Sequence, residues 1–294
     1  VNDLRHTDDV SRAVAWILFG VLAGLGLDLC AKQILQTYSL VQFVLLRSGI
    51  AILIMLAILP RFGGWQALHS EEKLWHVVRS LFAIGAMFGF FYGLKSMPLV
   101  AALTLGYTAP LIVTALSALV LGDSVGWRRW SAVTIGFVGV LVMLRPGSGE
   151  FTPAAAAVLI ASFCYACQAI TARKLGGTES TLALSFYVVI GPFVVAGALF
   201  DSGTWIQPDM AGWALLAGAA LCSVFAWFGF VNGYRAAPPA LLAPLEYVAL
   251  VLGAVAGYLI WDEIPDRFTV LGALIIVGSG LFVVYRGKPA PIVT

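Results

Sequence analysis

Gly93-Leu94-Lys95-Ser96-Met97-Pro98 returns 140 residues later as Gly233-Tyr234-Arg235-Ala236-Ala237-Pro238. The same offset aligns Asp123 with Glu263, each ending a long apolar segment. An offset of 141 aligns Arg145 with Arg286 and Gly139 with Gly280. The chain therefore reads as one unit written twice, residues 1–147 and residues 148–294. The fold depends on what each unit contains.

Outward from this repeat, ten apolar segments can be drawn: 13–31, 39–59, 75–96, 98–121, 127–145, 153–173, 181–200, 209–235, 239–261 and 267–285. A membrane-crossing helix needs about 20 apolar residues, so ten use roughly 200 of the 294. Of the chain, 61% is hydrophobic and 11% charged, with a mean hydropathy of +0.95. Soluble chains carry about 25% charged residues. A soluble enzyme is excluded, and so is a membrane anchor bearing a large soluble domain. An outer-membrane barrel alternates apolar and polar residues, which these runs do not. Five segments per unit is an odd number, so the two units enter the bilayer with opposite orientation. The expected fold is an all-α polytopic membrane protein, ten transmembrane helices arranged as two inverted five-helix repeats. Inverted repeats mark secondary transporters, with the substrate site near the midplane between the halves.

Cationic residues orient the chain. Arg5, Arg12, Arg61, Lys73, Arg79, Arg128, Arg129, Arg173, Lys174, Arg235, Arg286 and Lys288 fall on one side of ten crossings. Lys32, Lys95, Arg145 and Arg267 fall on the other, and Arg47 lies within the second segment. By the positive-inside rule both termini are cytoplasmic. The acidic stretch Asn2, Asp3, Asp8 and Asp9 precedes the first segment, which lacks an A-x-A-like end and reads as a retained helix. Connections are short, and the longest, 60–74, reads as a short interfacial helix carrying Trp65, Leu68 and Trp75. The net charge of +2 points to no nucleic-acid partner. Cys30, Cys164, Cys167 and Cys222 all lie in apolar runs and read as packing residues.

The motifs resemble a known family. Ala109-Pro110-Leu111-Ile112-Val113-Thr114, Leu121-Gly122-Asp123, Gly126-Trp127-Arg128-Arg129-Trp130 and Leu144-Arg145-Pro146-Gly147 resemble the first half of EamA-type transporters of the drug/metabolite transporter superfamily. Leu242-Ala243-Pro244-Leu245-Glu246-Tyr247, Trp261-Asp262-Glu263-Ile264-Pro265-Asp266 and Gly272 through Arg286 carry the partner pattern. Asp123 and Trp261-Asp262-Glu263 stand where the family usually has Leu-Gly-Glu, and both keep the carboxylate. The resemblance implies a ten-helix permease of the bacterial inner membrane with a central cavity, in a family that mostly exports amino acids and related metabolites. An aromatic amino acid exporter branch belongs to it.

Charges inside a membrane cost about 2.5–3.5 kcal/mol each at a helix centre. Arg47 is eight residues from the outer end of its segment, roughly 12 Å deep at 1.5 Å per residue. Glu246 is seven residues into the ninth, roughly 10 Å from the cytoplasmic face. Two readings stand for this pair. Arg47 binds a substrate carboxylate while Glu246 takes an ammonium or a coupling proton, or both are structural partners or caps. Asp28, three residues from the end of the first segment, reads as an i,i+4 partner of Lys32. Pro244 and Pro110 each predict a local helix break, and breaks face cavities, not lipid. Arg79 reads as snorkelling to headgroups and His76 as an interfacial surface group, with proton carriage as its rival role.

Tyr107, Gln168 and Tyr247 lead the candidates for the cavity wall, followed by Thr104, Tyr92, Tyr165, Trp227 and Asn232. A polar tip on an apolar body suits a zwitterion with an apolar side chain. Gly20 and Gly24, Gly85, Gly89 and Gly93, and Gly253 and Gly257 have the spacing of close helix contacts. Neither a Walker loop nor a metal-ligand cluster occurs, so no cofactor is expected. The sequence thus reads as a secondary transporter exporting small metabolites, foremost amino acids with aromatic or apolar side chains, by alternating access. Its partners are a small-molecule substrate and the lipid bilayer, and nothing in the sequence sets an oligomeric state. The rivals are export of other metabolites or drugs by proton antiport, and a membrane receptor without transport.

Overall fold

A computed structural model describes residues 2–120, 126–145, 152–175, 179–236, 242 and 245–285. The helices are α1 (Asn2–Leu35), α2 (Leu40–Ile58), α3 (Lys73–Ser96), α4 (Leu99–Gly106), α5 (Ala109–Val120) and α6 (Trp127–Leu144). They continue as α7 (Pro153–Leu175), α8 (Thr181–Ala198), α9 (Met210–Ala236), α10 (Val248–Trp261) and α11 (Arg267–Tyr285). No strand occurs among the described residues. Seven spans in this set are long and apolar enough to cross a membrane, and three shorter apolar helices cover Leu182–Ala198, Val248–Trp261 and Arg267–Val283. Asp123, Pro244 and Arg286 lie outside the described residues.

Two helices at corresponding positions of the sequence repeat begin in the same way. α2 and α8 are each entered through a serine whose hydroxyl caps the first turn. Ser39 accepts the Gln42 amide at 3.2 Å and Ser180 the Ala183 amide at 2.9 Å. Such caps satisfy an amide that the helix itself cannot. Packing follows the same exchange of halves: α1 lies along α9 and α3 along α7, while α2 meets α8 and α6 meets α11. Glycine makes the two long contacts possible. A Cβ on Gly229 would strike the Gly20 backbone, and one on Gly93 would strike Val158.

Two departures from the sequence reading matter, and so does one break that it predicts. The first helix runs on to Leu35, so Asp28 sits about two turns inside it and not beside its end. The 60–74 connection holds two 3-10 turns, Leu59–Phe62 and Gly64–Leu68, hinged at Gly63 and Gly64 with φ of 97° and 65°. Trp65 stays 75% exposed while Leu68 is buried. The fourth segment is split: α4 stops at Gly106 and α5 starts at Ala109, one residue before Pro110. Carbonyls at the break are met from inside the protein. Thr108 Oγ1 donates to the Leu105 carbonyl at 2.7 Å, and Ser162 Oγ from α7 reaches the same oxygen at 3.1 Å.

The two ends of the bundle are closed differently. At the end carrying Lys32, an apolar cluster including Leu35, Phe43, Phe91, Leu94, Leu99 and Leu216 is buried. Lys32 Nζ lies 2.6 Å from Glu263 and donates to the Met97 carbonyl at 2.9 Å, and Glu263 accepts the Leu99 amide at 2.8 Å. Arg145 meets Asp266 at 2.7 Å. Lys32 therefore pairs with Glu263 and not with Asp28. At the opposite end Ser70 donates to Glu179 at 2.7 Å, His76 Nε2 lies 3.2 Å from the same carboxylate, and Ser180 donates to the Ala67 carbonyl. His76 and Arg79 are 3% and 5% exposed, so neither is the surface group that the sequence indicates. Arg79 instead donates to the Leu184 carbonyl at 3.1 Å.

This packing can be tested at two points. Gly229→Val forces the α1–α9 contact apart and destabilises the fold by about 1–3 kcal/mol, the usual range for overpacking, read as a lower midpoint of thermal unfolding in detergent. Burial pushes the Glu179 carboxyl up, but hydrogen bonds from Ser70 and His76, together with the His76 charge, outweigh it and hold it below its ordinary range. A carboxyl depressed in the folded state adds stability above its unfolded value, and that contribution is lost as pH falls through the folded one. Glu179→Gln should lower the unfolding midpoint at neutral pH and flatten its decline in acid, measured from about pH 7 down to about pH 3.

Candidate functional site

The split between α4 and α5 opens onto a cavity of about 410 Å³ in the middle of the bundle. Its wall is drawn from both halves: α1 through Asp28, α2 through Arg47, α3 through Met87 and Phe90, the break through Gly106 and Tyr107, α7 through Ser162, Tyr165 and Gln168, and Glu246 before α10. Tyr165 is 58% exposed, so its part of the wall is open. Toward the Lys32 end the cavity is floored by Phe91 and Leu103, members of the buried cluster there.

Tyr107 lines it, and a second tyrosine, Tyr247, packs behind Tyr107. Tyr107 lies in the break of the fourth segment, and Tyr247, 140 residues on, lies in the turn immediately before α10. Their rings pack at 5.2 Å with an interplanar angle of 48°. Tyr107 donates its hydroxyl to the Glu246 carbonyl at 2.8 Å. One side chain from the first half thus satisfies a backbone group at the corresponding point of the second. Tyr247 backs Tyr107, with its hydroxyl against Gly280, where a Cβ would overlap it.

Opposite charges share this wall. Arg47 is 7% exposed, its Nη1 lies 3.5 Å from the Met87 sulfur, its guanidinium lies 6.0 Å from the Phe91 ring centre, and its Nε is buried with no hydrogen-bond partner. Asp28 lines the same cavity and feels the Arg47 charge. Among the described residues, no ion pair within 4.0 Å joins the two. A guanidinium and a carboxyl group that line one cavity without an ion pair between them can each meet an opposite charge on a ligand. Thioether sulfur and an aromatic face are weak partners for a buried cation, which leaves Arg47 with donors to offer.

Five of the ten residues selected from the sequence come together here: Arg47, Tyr107, Tyr165, Gln168 and Glu246. Tyr247 supports the wall from behind. Thr104 is fully buried with its hydroxyl unpartnered, but it is not among the lining residues. Tyr92 is 42% exposed and does not line the cavity. Trp227 meets Phe228 edge to face, and Asn232 donates to the Phe228 carbonyl in its own helix. Asp28 is the wall residue that sequence reasoning misses, because hydropathy ends the first helix too early. The equivalence of Tyr107 and Tyr247 is legible in the repeat offset.

A family model, the EamA-like transporter family, matches residues 11–145 and again 152–285. An S-adenosylmethionine uptake transporter of Rickettsia prowazekii (strain Madrid E) is 28% identical, over 98% of this chain and 97% of that protein. A riboflavin transporter of Vibrio cholerae is 29% identical, over 88% of this chain and 89% of its own length. A pseudopaline exporter of Pseudomonas aeruginosa (strain UCBPP-PA14) is 25% identical, over 94% and 95%. One solved crystal structure superposes with a TM-score of 0.64 at 19% identity, covering 92% of this chain and 96% of that one, and supports the fold. Two family matches in tandem, each ending at one half of the repeat, and relatives matched along nearly their full length leave one assignment: the chain is a multi-pass membrane protein of the EamA-like transporter family.

Proposed function

We propose that this transporter carries small zwitterions, amino acids with aromatic or apolar side chains and molecules that keep an α-amino acid end, by alternating access through the central cavity. The observation that carries the reading is the unjoined pair Asp28 and Arg47 in one cavity wall. Arg47 takes the substrate carboxylate, since a guanidinium matches that group's geometry. Asp28 and Glu246 supply the acid side for the ammonium. Phe90, Tyr107 and Tyr165 offer the apolar faces, and Gln168 a neutral polar contact. S-adenosylmethionine, named for one group of relatives, itself ends in an α-amino acid.

In this reading ten helices cross the inner membrane as two inverted repeats, residues 1–147 and 148–294, with both termini in the cytoplasm. The cation asymmetry of the loops and the exchange symmetry of the packing support it. Export is the proposed direction, supported by the resemblance of the motifs to an exporter family. The two halves rock about the substrate, and the end carrying His76 and Glu179 is the cytoplasmic one. Glu246, an acidic residue at membrane depth in the wall, is the coupling candidate for proton antiport.

The test is counterflow in proteoliposomes with labelled L-phenylalanine, L-leucine, S-adenosylmethionine and riboflavin, with and without an imposed pH gradient. Saturable exchange of the first three is expected, while riboflavin, which has neither an ammonium nor a carboxylate, exchanges poorly. Arg47→Gln and Asp28→Asn should each weaken the amino acid substrates by about tenfold or more, because each leaves one substrate charge buried without its partner. Exchange of riboflavin alone would overturn the substrate class. A response to the gradient that disappears in Glu246→Gln would assign coupling to that carboxylate, and gradient-independent flux would assign facilitation.

A further inference from the structure

Lys32 and Asp28 are four residues apart on α1, so they lie on one face of the helix with their Cβ atoms about 5–6 Å apart. In the structure Lys32 ignores that neighbour. It is 6% exposed, bridges to Glu263 at 2.6 Å, donates to the Met97 carbonyl and lies 5.4 Å from the Trp261 ring centre. Glu263 also holds the Leu99 amide at the start of α4, and Trp261 Nε1 donates to Gln33 at 3.2 Å. These contacts tie the connection between α10 and α11, in the second half, to α1 and α4, in the first. They lie on the side of the cavity that the apolar cluster closes.

For that end to open, the two halves must separate there, and Glu263 must leave Lys32. The motion cannot separate Lys32 from Asp28, because one helix carries both. A buried ammonium that loses its carboxylate is strongly destabilised unless another replaces it, and the carboxylate within reach is the one lining the cavity without an ion-pair partner. We infer that Lys32 exchanges between two acids, Glu263 when its end is closed and Asp28 when that end is open and the cavity is empty, and so competes with the substrate ammonium for Asp28. The inference rests on the zwitterion reading above. It makes Lys32 a positioning residue: it holds the closed end shut while the substrate occupies Asp28, and displaces the substrate's cationic end when that end opens.

The exchange is tested by binding of tritiated L-phenylalanine and S-adenosylmethionine to the purified full chain, for the unaltered protein, Glu263→Gln, Lys32→Met and the double variant. The amide introduced by Glu263→Gln keeps an acceptor for the Leu99 amide, and thermal unfolding reports whether each variant is folded. Freed from Glu263, Lys32 neutralises Asp28, so Glu263→Gln weakens both probes by on the order of tenfold, equivalent to about 1.4 kcal/mol. Removing the lysine as well restores affinity to within about twofold, and Lys32→Met alone binds at least as tightly as the unaltered chain. A purely structural tie gives a different pattern, with both single variants weakened and no rescue in the double. That pattern, or an unchanged Glu263→Gln, overturns the exchange alone. If Glu263→Gln does not fold, Lys32→Met decides by itself, and weaker binding there overturns the exchange. An unaltered chain that binds neither probe overturns the zwitterion reading and the exchange with it.

Discussion

A backbone carbonyl released from a helix inside an apolar medium has no water to turn to, and the centre of this protein is organised around that constraint. The break between Gly106 and Ala109 exposes such groups, and Thr108 and Ser162 satisfy them from within. Tyr107, set in the same break, reaches across to the carbonyl of Glu246 beside the corresponding point of the other half. Thr108 apart, these contacts come from other elements, so the broken segment sits where α7 and the turn before α10 approach it. That meeting point is where the cavity forms.

The same constraint governs charge. Two cations at the Lys32 end are matched across the halves: Lys32 with Glu263 and Arg145 with Asp266. At the opposite end Glu179 gathers Ser70 and His76. Arg47 differs, with only a thioether, a ring face and the field of a carboxylate that it does not touch. A buried guanidinium left this way is unfavourable for folding, and such a position is expected where a ligand completes the pairing. In the proposed function a substrate carboxylate completes that pairing.

The two ends of the bundle are closed unequally. A contiguous apolar cluster with cross-half ion pairs seals one side, while the other is held by a smaller polar set around Glu179. In the proposed alternating access that imbalance reverses, and its reversal breaks contacts that join the halves. At the closed end, Lys32–Glu263 is more buried than Arg145–Asp266, so its rupture is the step that most needs a replacement partner.

Much of the fold is legible in the sequence. The apolar segments and the break at Pro110 follow from spacing and hydropathy, because a bilayer imposes length and polarity on each helix separately, and Arg47, Tyr107, Gln168 and Glu246 stand out as polar residues within apolar segments. Partner choice is not legible. Asp28 and Lys32 have the spacing of an ion pair, yet Lys32 pairs with Glu263, from the far end of the other half. His76 and Arg79 read as surface groups but are covered by α8 and the segment before it. Tyr92, Trp227 and Asn232 are at plausible depth but do not line the cavity. Sequence determines which residues reach the membrane interior, since that depends on the helix they belong to; which of them face one another depends on helix rotation and packing, and only the tertiary structure decides that.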